Sequence, residues 1–529
     1  MSNETTTPAN ASQTTATPRP KFHGLLRGLD STPSSPQFEG RFGRMFRTLP
    51  AAKFFVEDLD ALSEEMVAEA EEEPTSENDP EGDDEESRNI ASGFTYLGQF
   101  IDHDLTFDPI SSLEKQNDPD SLTDFRTPRF DLDSVYGRGP SDQPYLYEDD
   151  GRHFRLGRRL TGAERFDKNV RDLPRHKSET SRARALIGDP RNDENVIVAQ
   201  LHAAMLRFHN SMADLCGPNE SFDEIQRQVR WHYQWVVLQD FLPKIVGQDM
   251  VFSILPHLKT KKPITESKPD LRVYKWRNDP FIPVEFSVAA YRFGHSMIRP
   301  QYRLNTTMTT GGPEGNGRLP IFTSADGNES LNGFREFPST FAIDWSLFFD
   351  MGDKPPKFGP TRLQPAYKID SSLVDPLGGL PPSTASSPSS LAKRNLLRSL
   401  RLGLPSGQAV AKQMGLTPIP DDKLRVGKAT KDDADENLSI TEFGDSFKKN
   451  APLWFYILAE AQQQFKNDDS PIVLGPVGGR IVAEVFIGLM LGDSHSFLRQ
   501  SPGWTPNPAM TKKDGTFGIA ELIKQAIKV

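Results

Sequence analysis

The chain has 529 residues, of which 36% are hydrophobic and 26% are charged, and its net charge is −11. This length allows a large buried core, and 43 prolines with 39 glycines indicate many loops between modest helices. Sixteen acidic residues and no Lys or Arg lie between Glu57 and Glu86, so the remainder carries +5. The sequence has no basic stripe of the kind that would indicate nucleic acid as a partner. No apolar run approaches the roughly 20 residues that span a membrane.

The single cysteine, Cys216, excludes an intramolecular disulfide and favours a reducing compartment. The N-terminus has neither a charged n-region nor an apolar segment, so we expect a cytoplasmic location, or export without a classical signal peptide. Residues 1–38 are rich in Thr, Ser, Pro and Ala, which predicts a disordered tail. Residues 39–529 are predicted to form one domain, interrupted by a disordered acidic insertion over 57–88.

The stretch around YLGQFIDHDLTFDP has apolar residues three or four apart, which predicts a helix with one buried stripe. The stripe consists of Phe94, Leu97, Ile101 and Leu105. Gln99, Asp102 and His103 share a neighbouring face of that helix. A helix that buries an ionisable cluster beside its apolar stripe usually does so because a site needs the cluster.

The loop FRTPRFDLDSVYGRGP alternates oxygen-bearing groups at Thr127, Asp131 and Asp133, with the carbonyl of Arg129 between them. Calcium prefers six to eight such oxygens. Asp104, on the preceding helix, would be a further ligand if the loop lay against that helix. Acidic turns are common, so this pattern alone is weak support for a cation site.

The stretch NDENVIVAQLHAAMLRFHNSMADL predicts a helix that starts near Asp193. Its predicted apolar face comprises Ile197, Leu201, Ala204, Phe208, Met212 and Leu215. Arg191 and Glu194 lie at its N-terminal end, where irregular backbone can direct side chains into a cavity. We expect three further histidines to be hydrogen-bonded core residues rather than ligands: His202, His209 and His232.

The stretch FIPVEFSVAAYRFGHSMIRP predicts one face that carries Val284, Val288, Tyr291, His295 and Ile298. Arg292 and Gly294 flank the histidine, and a glycine lowers helix stability unless something approaches closely. A flat macrocycle would be such a group. A later helix, AKRNLLRSLRLGLP, places Asn395 and Arg398 one turn apart. Clear strands are few, so we expect a mainly helical body.

Together these stretches resemble the peroxidase–cyclooxygenase superfamily of haem peroxidases, over roughly Arg41 to Asp493. The motifs occur in the order GQ-x3-DHD, T-x3-D-x-D-S-VYG, GD-x-R-x2-E, R-x-GH and N-x2-R. The resemblance is to the bacterial branch of the animal-type family. It implies a mainly α fold with few short strands, in which haem b lies between a distal and a proximal helix.

The resemblance implies a role for each matching side chain. His103 and Arg191 match the distal histidine and arginine, and Gln99 matches the glutamine that orders distal water and halide. His295 matches the histidine that binds the haem iron, and Asn395 matches the residue that holds its imidazole N–H.

Four further residues match positions that contact the haem itself. Arg292 and Arg398 match arginines near the haem or its propionates. Asp102 and Glu194 match the carboxylates that form ester links to haem methyls. The implied calcium ligands are Asp104, Thr127, Arg129 through its carbonyl, Asp131 and Asp133.

The implied activity is the reduction of hydrogen peroxide through an oxyferryl intermediate, with oxidation of halides, thiocyanate or small organic donors. Removal of peroxide under oxidative stress and production of hypohalous acids both fit such an enzyme. Asn195 stands where myeloperoxidase has a methionine, so we expect no sulfonium link and weak oxidation of chloride.

Two other interpretations remain open. Fatty-acid dioxygenases and cyclooxygenases of the same superfamily carry a radical-forming tyrosine three residues before the proximal histidine. Arg292 holds that position here, and Tyr291 lies one place away, about 100° round a helix. A haem-free scaffold with the same fold is the second alternative, and the haem content would distinguish it.

Overall fold

The computed structural model describes residues 42–69, 84–106, 126–176, 183–276, 279–308, 317–322, 329–352, 354–356, 359–381 and 387–528. The tail predicted over residues 1–38 lies outside these ranges. The described part is mainly helical, as the sequence predicts, and its strands are short.

The α-helices of the described residues are α1 (Val56–Glu65), α2 (Gly93–Leu105), α3 (Asp133–Tyr136), α4 (Val196–Cys216), α5 (Phe222–Val236), α6 (Leu242–Val246), α7 (Gln248–Ile254), α8 (Pro256–Thr260), α9 (Val284–Ser287), α10 (Leu391–Arg401), α11 (Gly407–Gln413), α12 (Leu453–Gln462), α13 (Pro476–Gly492), α14 (Phe497–Gln500) and α15 (Ile519–Ala526). The strands are β1 (Glu86–Ala91), β2 (Gln301–Tyr302), β3 (Leu319–Pro320), β4 (Pro365–Tyr367), β5 (Arg425–Val426) and β6 (Leu438–Ser439). They pair antiparallel as β1 with β4, β2 with β3, and β5 with β6.

Helix α4 runs through the centre of the molecule and is buried over most of its length. Helices α12 and α13 are apolar almost all round and are buried as well. Helix α15 packs on α4, where Gln525 Nε2 donates to Ser211 Oγ at 2.7 Å. Within the described residues, no helix combines the length and apolarity that crossing a bilayer requires.

The predicted helix with the buried stripe is confirmed as α2, and all four residues of its stripe are buried. Phe100 adds to the apolar side, with its ring centroid 6.2 Å from Tyr233 and 6.1 Å from His202. Because α2 packs on α4, its polar face is held in a fixed position beside the residues that precede α4.

The prediction that the next long helix starts near Asp193 is wrong by three residues. Residues Pro190–Asp193 form a 3₁₀ turn, and α4 begins at Val196 because the Asn195 side chain accepts a hydrogen bond from Ile197 N at 2.8 Å. The apolar face is also shorter than predicted, since the Leu215 side chain at the far end is 47% exposed.

The single helical face predicted from the residue spacing over 284–298 is also wrong. The chain forms the short helix α9 and then a separate 3₁₀ helix over Ala290–His295. Arg292 Nε donates to Ser287 O at 3.1 Å. This carbonyl would accept from Tyr291 N in a continuous α-helix, so the arginine side chain takes the place of a helical hydrogen bond.

The acidic run is structured at both ends, so the predicted disorder over 57–88 is wrong there. Helix α1 buries Leu59 and Leu62 against the core. Strand β1 begins at Glu86, whose carboxylate accepts from Arg299 Nη1 at 2.7 Å. Residues 70–83, between these two elements, lie outside the described ranges.

Candidate functional site

His103 lies on α2 with its side chain almost completely buried. Its Nδ1 is 2.8 Å from Oδ1 of Asn192, in the 3₁₀ turn before α4. Asn192 Nδ2 is in turn 3.0 Å from His202 Nδ1. Nδ1 of His103 is therefore bonded to a buried residue, and Nε2 lies on the opposite side of the ring.

The other side of His103 holds Glu194 and Gln99. Gln99 Nε2 donates to Glu194 Oε1 at 2.5 Å, and that oxygen is 3.5 Å from His103 Nε2. Gln99, Asp102 and Glu194 all stay partly accessible, although their apolar neighbours on α2 are buried. These polar groups therefore face a space that water can enter.

Arg191 is held in place by Asp189, two residues before it. Arg191 Nε donates to Asp189 Oδ1 at 3.2 Å, and Nη2 donates to the carbonyl of His103 at 3.0 Å. Arg126 Nη2 also donates to Asp189, at 2.5 Å. Burial opposes ionisation of Asp189, but Arg191 and Arg126 together hold the pKa of its carboxyl well below the usual range.

His295 ends the 3₁₀ helix, and its Nδ1 is 2.9 Å from Nδ2 of Asn395 on α10. Turning that amide by 180° would put Oδ1 at this place, and the contact would then suit a histidine that carries its proton on Nδ1. Burial, aided by Arg292, lowers the pKa of His295 to about 3. The residue nevertheless keeps accessible surface, so this surface faces an internal space rather than bulk solvent.

The segments that carry the two histidines meet at one point. Tyr291 Oη, within the 3₁₀ helix, donates to Gly98 O of α2 at 3.1 Å. A Cβ added to Gly294, the residue before His295, would meet no atom within 4 Å other than those of its chain neighbours. This open side of Gly294, which we call the cradle, is where the sequence predicts the approach of a flat group.

The two predicted arginines lie close in sequence to the paired His295 and Asn395. Arg292 and Arg398 are both partly accessible, and Arg398 is one turn from Asn395 on α10. Burial lowers the pKa of Arg292, Asp102 opposes this shift, and Arg394 adds to it. Asp102 of the distal helix and Arg394 of α10 therefore both lie near Arg292.

The predicted cation loop lies against α2. Leu132 N and Ser134 Oγ donate to the Asp104 carboxylate at 3.2 and 3.3 Å. Asp104, Asp131 and Asp133 are all buried, and each offers an oxygen within 4.8 Å of the others. Burial and the two neighbouring carboxylates raise the pKa of Asp104 well above its usual range.

The remaining predicted members of the loop are placed as follows. Thr127 Oγ1 donates to Asp131 Oδ2 at 2.8 Å. The Arg129 guanidinium is 3.8 Å from Asp493, so its side chain is engaged elsewhere and only its carbonyl is left for a cation. Arg126 Nη1 donates to Asp133 at 3.1 Å and thereby links this cluster to Asp189.

The prediction of three core histidines is confirmed. His202 contacts Asn192, His209 Nδ1 is 2.9 Å from Tyr136 Oη, and His232 Nδ1 is 2.7 Å from Gln228 O. Burial lowers the pKa of His202 to about 3 and of the other two to about 4.

Sequence reasoning missed four residues of the site: Asn192, Asp189, Arg126 and Arg394. Asn192 gives no periodic signal, since it lies in a single irregular turn. Asp189 belongs to the quoted GD-x-R-x2-E motif, so its place beside Arg191 was the one available signal. Arg126 reaches Asp189 across 63 residues, a contact that only the tertiary fold creates.

Residues 111–334 match the animal haem peroxidase family. Peroxidasin from Drosophila melanogaster is 23% identical over 367 residues, which cover 66% of this chain and 21% of that protein. The structure of peroxidase A from Dictyostelium discoideum matches with a TM-score of 0.61 and 16% identity, over 96% of this chain and 97% of the other. The structure of fatty acid alpha-dioxygenase from Arabidopsis thaliana matches with a TM-score of 0.54 and 13% identity, over 86% of this chain and 74% of the other.

The fold is therefore that of the animal haem peroxidases. The match to the animal haem peroxidase family covers residues 111–334, less than half of the chain, and the sequence relatives include peroxidases. The chain spans about a fifth of the length of peroxidasin. At their low identity the two structural matches show the shared fold and no more.

The open space at Gly294 generates a prediction. We expect Gly294→Leu to fold with a free energy of unfolding within about 1 kcal/mol of the unmodified protein, since no atom outside the chain neighbours lies within 4 Å of the new Cβ. The same change should weaken haem binding at least about 10-fold, or 1.4 kcal/mol, because it fills the cradle. Urea unfolding and haem titration measure the two effects.

Gly407→Ala is the matched control, because its added Cβ would lie 2.1 Å from Cγ of Tyr456. We expect that variant to lose about 1–3 kcal/mol of stability through overpacking. Unchanged haem affinity in Gly294→Leu would show that this space does not receive the macrocycle.

Proposed function

We propose that the protein is a haem-dependent peroxidase that reduces hydrogen peroxide and oxidises halides, thiocyanate or small organic donors. One observation carries the proposal. His103 and His295 lie on contacting segments, and each has its Nδ1 engaged by a buried asparagine. Such an arrangement leaves the Nε2 atom of each histidine for chemistry.

The residues present fit haem. His295 Nε2 has no hydrogen bond to any described residue, and a neutral imidazole is the form that ligates a metal. Asn395 would fix its orientation. Arg292 and Arg398 supply cations for the propionates, and the cradle at Gly294 leaves room for a flat ring. When bound, the haem would supply the redox centre for peroxide reduction.

His103 is the proposed acid–base group. With Nδ1 bonded to Asn192, its Nε2 can accept a proton from one peroxide oxygen and return it to the other, which departs as water. Arg191 keeps a positive charge beside the backbone of His103, where it favours negative charge on a reacting oxygen. Asp189 holds that charge in place.

Gln99 and Glu194 complete the accessible side of His103, and we propose that Gln99 positions water or a halide there. Asp102 and Glu194 are partly accessible carboxylates at this space, which supports their proposed ester links to the haem. Asn195 is engaged as the cap of α4, so a third link at that position is not expected. We therefore propose bromide, iodide or thiocyanate as donors in preference to chloride.

We also propose that calcium binds at Asp104, Asp131 and Asp133, with Thr127 and the carbonyl of Arg129. Three buried carboxylates with one bonded arginine leave excess negative charge, and a divalent cation with oxygen ligands would neutralise it. The site would hold α2, and hence His103, in place.

The dioxygenase alternative lacks its radical-forming residue. Tyr291 is buried, its hydroxyl donates to the backbone of α2, and its ring stacks on Phe286. Arg292 occupies the position where a tyrosine would be required.

Two further expectations stay predictions. One is that residues 39–529 form a single domain, and the other is a cytoplasmic location, or export without a classical signal.

The reaction of haem-loaded protein with one equivalent of hydrogen peroxide, followed by stopped-flow absorbance, tests the proposed function. We expect a rapid change of the Soret band that reverses when bromide or a phenol is added. His103→Gln should slow the first step by about 10²–10⁴-fold, the contribution of a positioned acid–base group. His495→Gln, at a partly exposed histidine outside the site, should leave the rate unchanged.

Other outcomes would contradict the proposal. A Soret band indifferent to peroxide would favour the dioxygenase interpretation. Absence of bound haem would leave the scaffold interpretation, and equal rates for chloride and bromide would contradict the proposed choice of donor.

Calcium removal gives a second prediction. We expect calcium at about 100 times its Kd to stabilise the protein by about 2.7 kcal/mol, seen as a higher Tm that a chelator reverses. Asp131→Asn should abolish this response, because it removes a ligand and part of the charge. The exposed Asp149→Asn is the control and should keep it. An undiminished response in Asp131→Asn would disprove the site.

A further inference from the structure

The side of His103 that faces away from the accessible space ends in a pair of buried residues. Asn192 and His202 are both fully buried. Asn192 Oδ1 is 2.8 Å from His103 Nδ1, and Asn192 Nδ2 is 3.0 Å from His202 Nδ1. The three side chains therefore form a continuous chain of hydrogen bonds with one amide in the middle.

The protons along this chain follow from His202. Burial lowers the pKa of His202 to about 3, so it is neutral near pH 7 and carries a single N–H. Its Nε2 is buried and, among the described residues, has no hydrogen-bond partner. Asn192 Nδ2 can only donate and is 3.0 Å from His202 Nδ1, so Nδ1 of His202 is the acceptor and its single proton lies on Nε2.

The orientation of the Asn192 amide then determines the state of His103. When Asn192 Nδ2 donates to His202, Asn192 Oδ1 faces His103. An amide oxygen can only accept a hydrogen bond, so His103 Nδ1 must carry the proton. Turning the amide would put a donor against His103 and an acceptor against His202 Nδ1. Asn192 Oδ1 also accepts from the imidazolium form of His103, so the same contact persists when Nε2 takes up a proton.

We propose that Asn192, supported by His202, is a positioning residue that keeps the proton of His103 on Nδ1 and its lone pair on Nε2. The consequence for peroxide cleavage rests on the proposed function, whereas the position of the proton is a property of the chain itself. Asn192 acts through His103 and contacts neither haem nor peroxide in this proposal.

The test is NMR of the haem-free protein labelled with ¹⁵N at its histidines. The chain has ten histidines, and His103→Gln identifies the signals of His103. At alkaline pH we expect the unmodified protein to show His103 protonated on Nδ1. Asn192→Leu, similar in size but without an amide, should shift His103 toward the Nε2-protonated form, because Glu194 is then its nearest acceptor.

Two further variants separate positioning from folding. Asn192→Asp keeps an oxygen against Nδ1 and should retain the original tautomer. His202→Leu leaves Asn192 in place but removes the group that orients its amide, so we expect a mixture of tautomers. Asn195→Ala is the matched control. It removes an asparagine from the same segment without a contact to His103, and the tautomer should not change.

Kinetics of the haem-loaded variants give an independent readout. Asn192→Leu should lower the second-order rate constant for peroxide by about 10–100-fold, a part of what an acid–base group contributes. Asn192→Asp should restore most of this rate constant.

Two outcomes would overturn the proposal. One is that His103 is protonated on Nε2 in the unmodified protein, and the other is that the tautomer does not change in Asn192→Leu. If the tautomers behave as expected but the loaded protein ignores peroxide, the proposed function fails and the positioning role stands.

Discussion

A contact between a buried asparagine amide and Nδ1 of a histidine is the interaction on which this site depends, and it occurs twice. Asn192 presents Oδ1 to His103, whereas Asn395 presents Nδ2 to His295, and a 180° turn of that amide would exchange Nδ2 for Oδ1. A neutral imidazole has one N–H and one lone pair, so fixing Nδ1 also fixes what Nε2 can do. The same contact therefore suits the two different tasks proposed for the two histidines.

Charged residues hold the surroundings of this pair together. Arg126 bonds both Asp133 and Asp189, and Asp189 bonds Arg191. The carboxylate cluster is thereby connected to the arginine beside His103 through three ion pairs, two of them between almost fully buried side chains. Removing one partner of such a buried pair is strongly destabilising, by about 3–5 kcal/mol, so this network is expected to keep the distal side rigid.

The sequence was sufficient where periodicity or motif order carried the information. The apolar stripe of α2 and the buried core histidines came from the spacing of residues, whereas the pairing of His295 with Asn395, 100 residues apart, came from the family resemblance. The break after α9 was not predictable, because it depends on the Arg292 side chain taking a backbone carbonyl. Asn192 was missed for a similar reason, since only the packing of α2 against α4 brings it to His103.

The proposed function depends on His295 as the haem ligand, and imidazole rescue of His295→Gly would test that role. Absorption and EPR spectra of the ferric haem-loaded protein would be compared with and without added imidazole. We expect a histidine-type spectrum for the unmodified protein, its loss in His295→Gly, and its return when imidazole fills the space. A His295→Gly variant that gives the original spectrum without imidazole would show that another residue is the ligand.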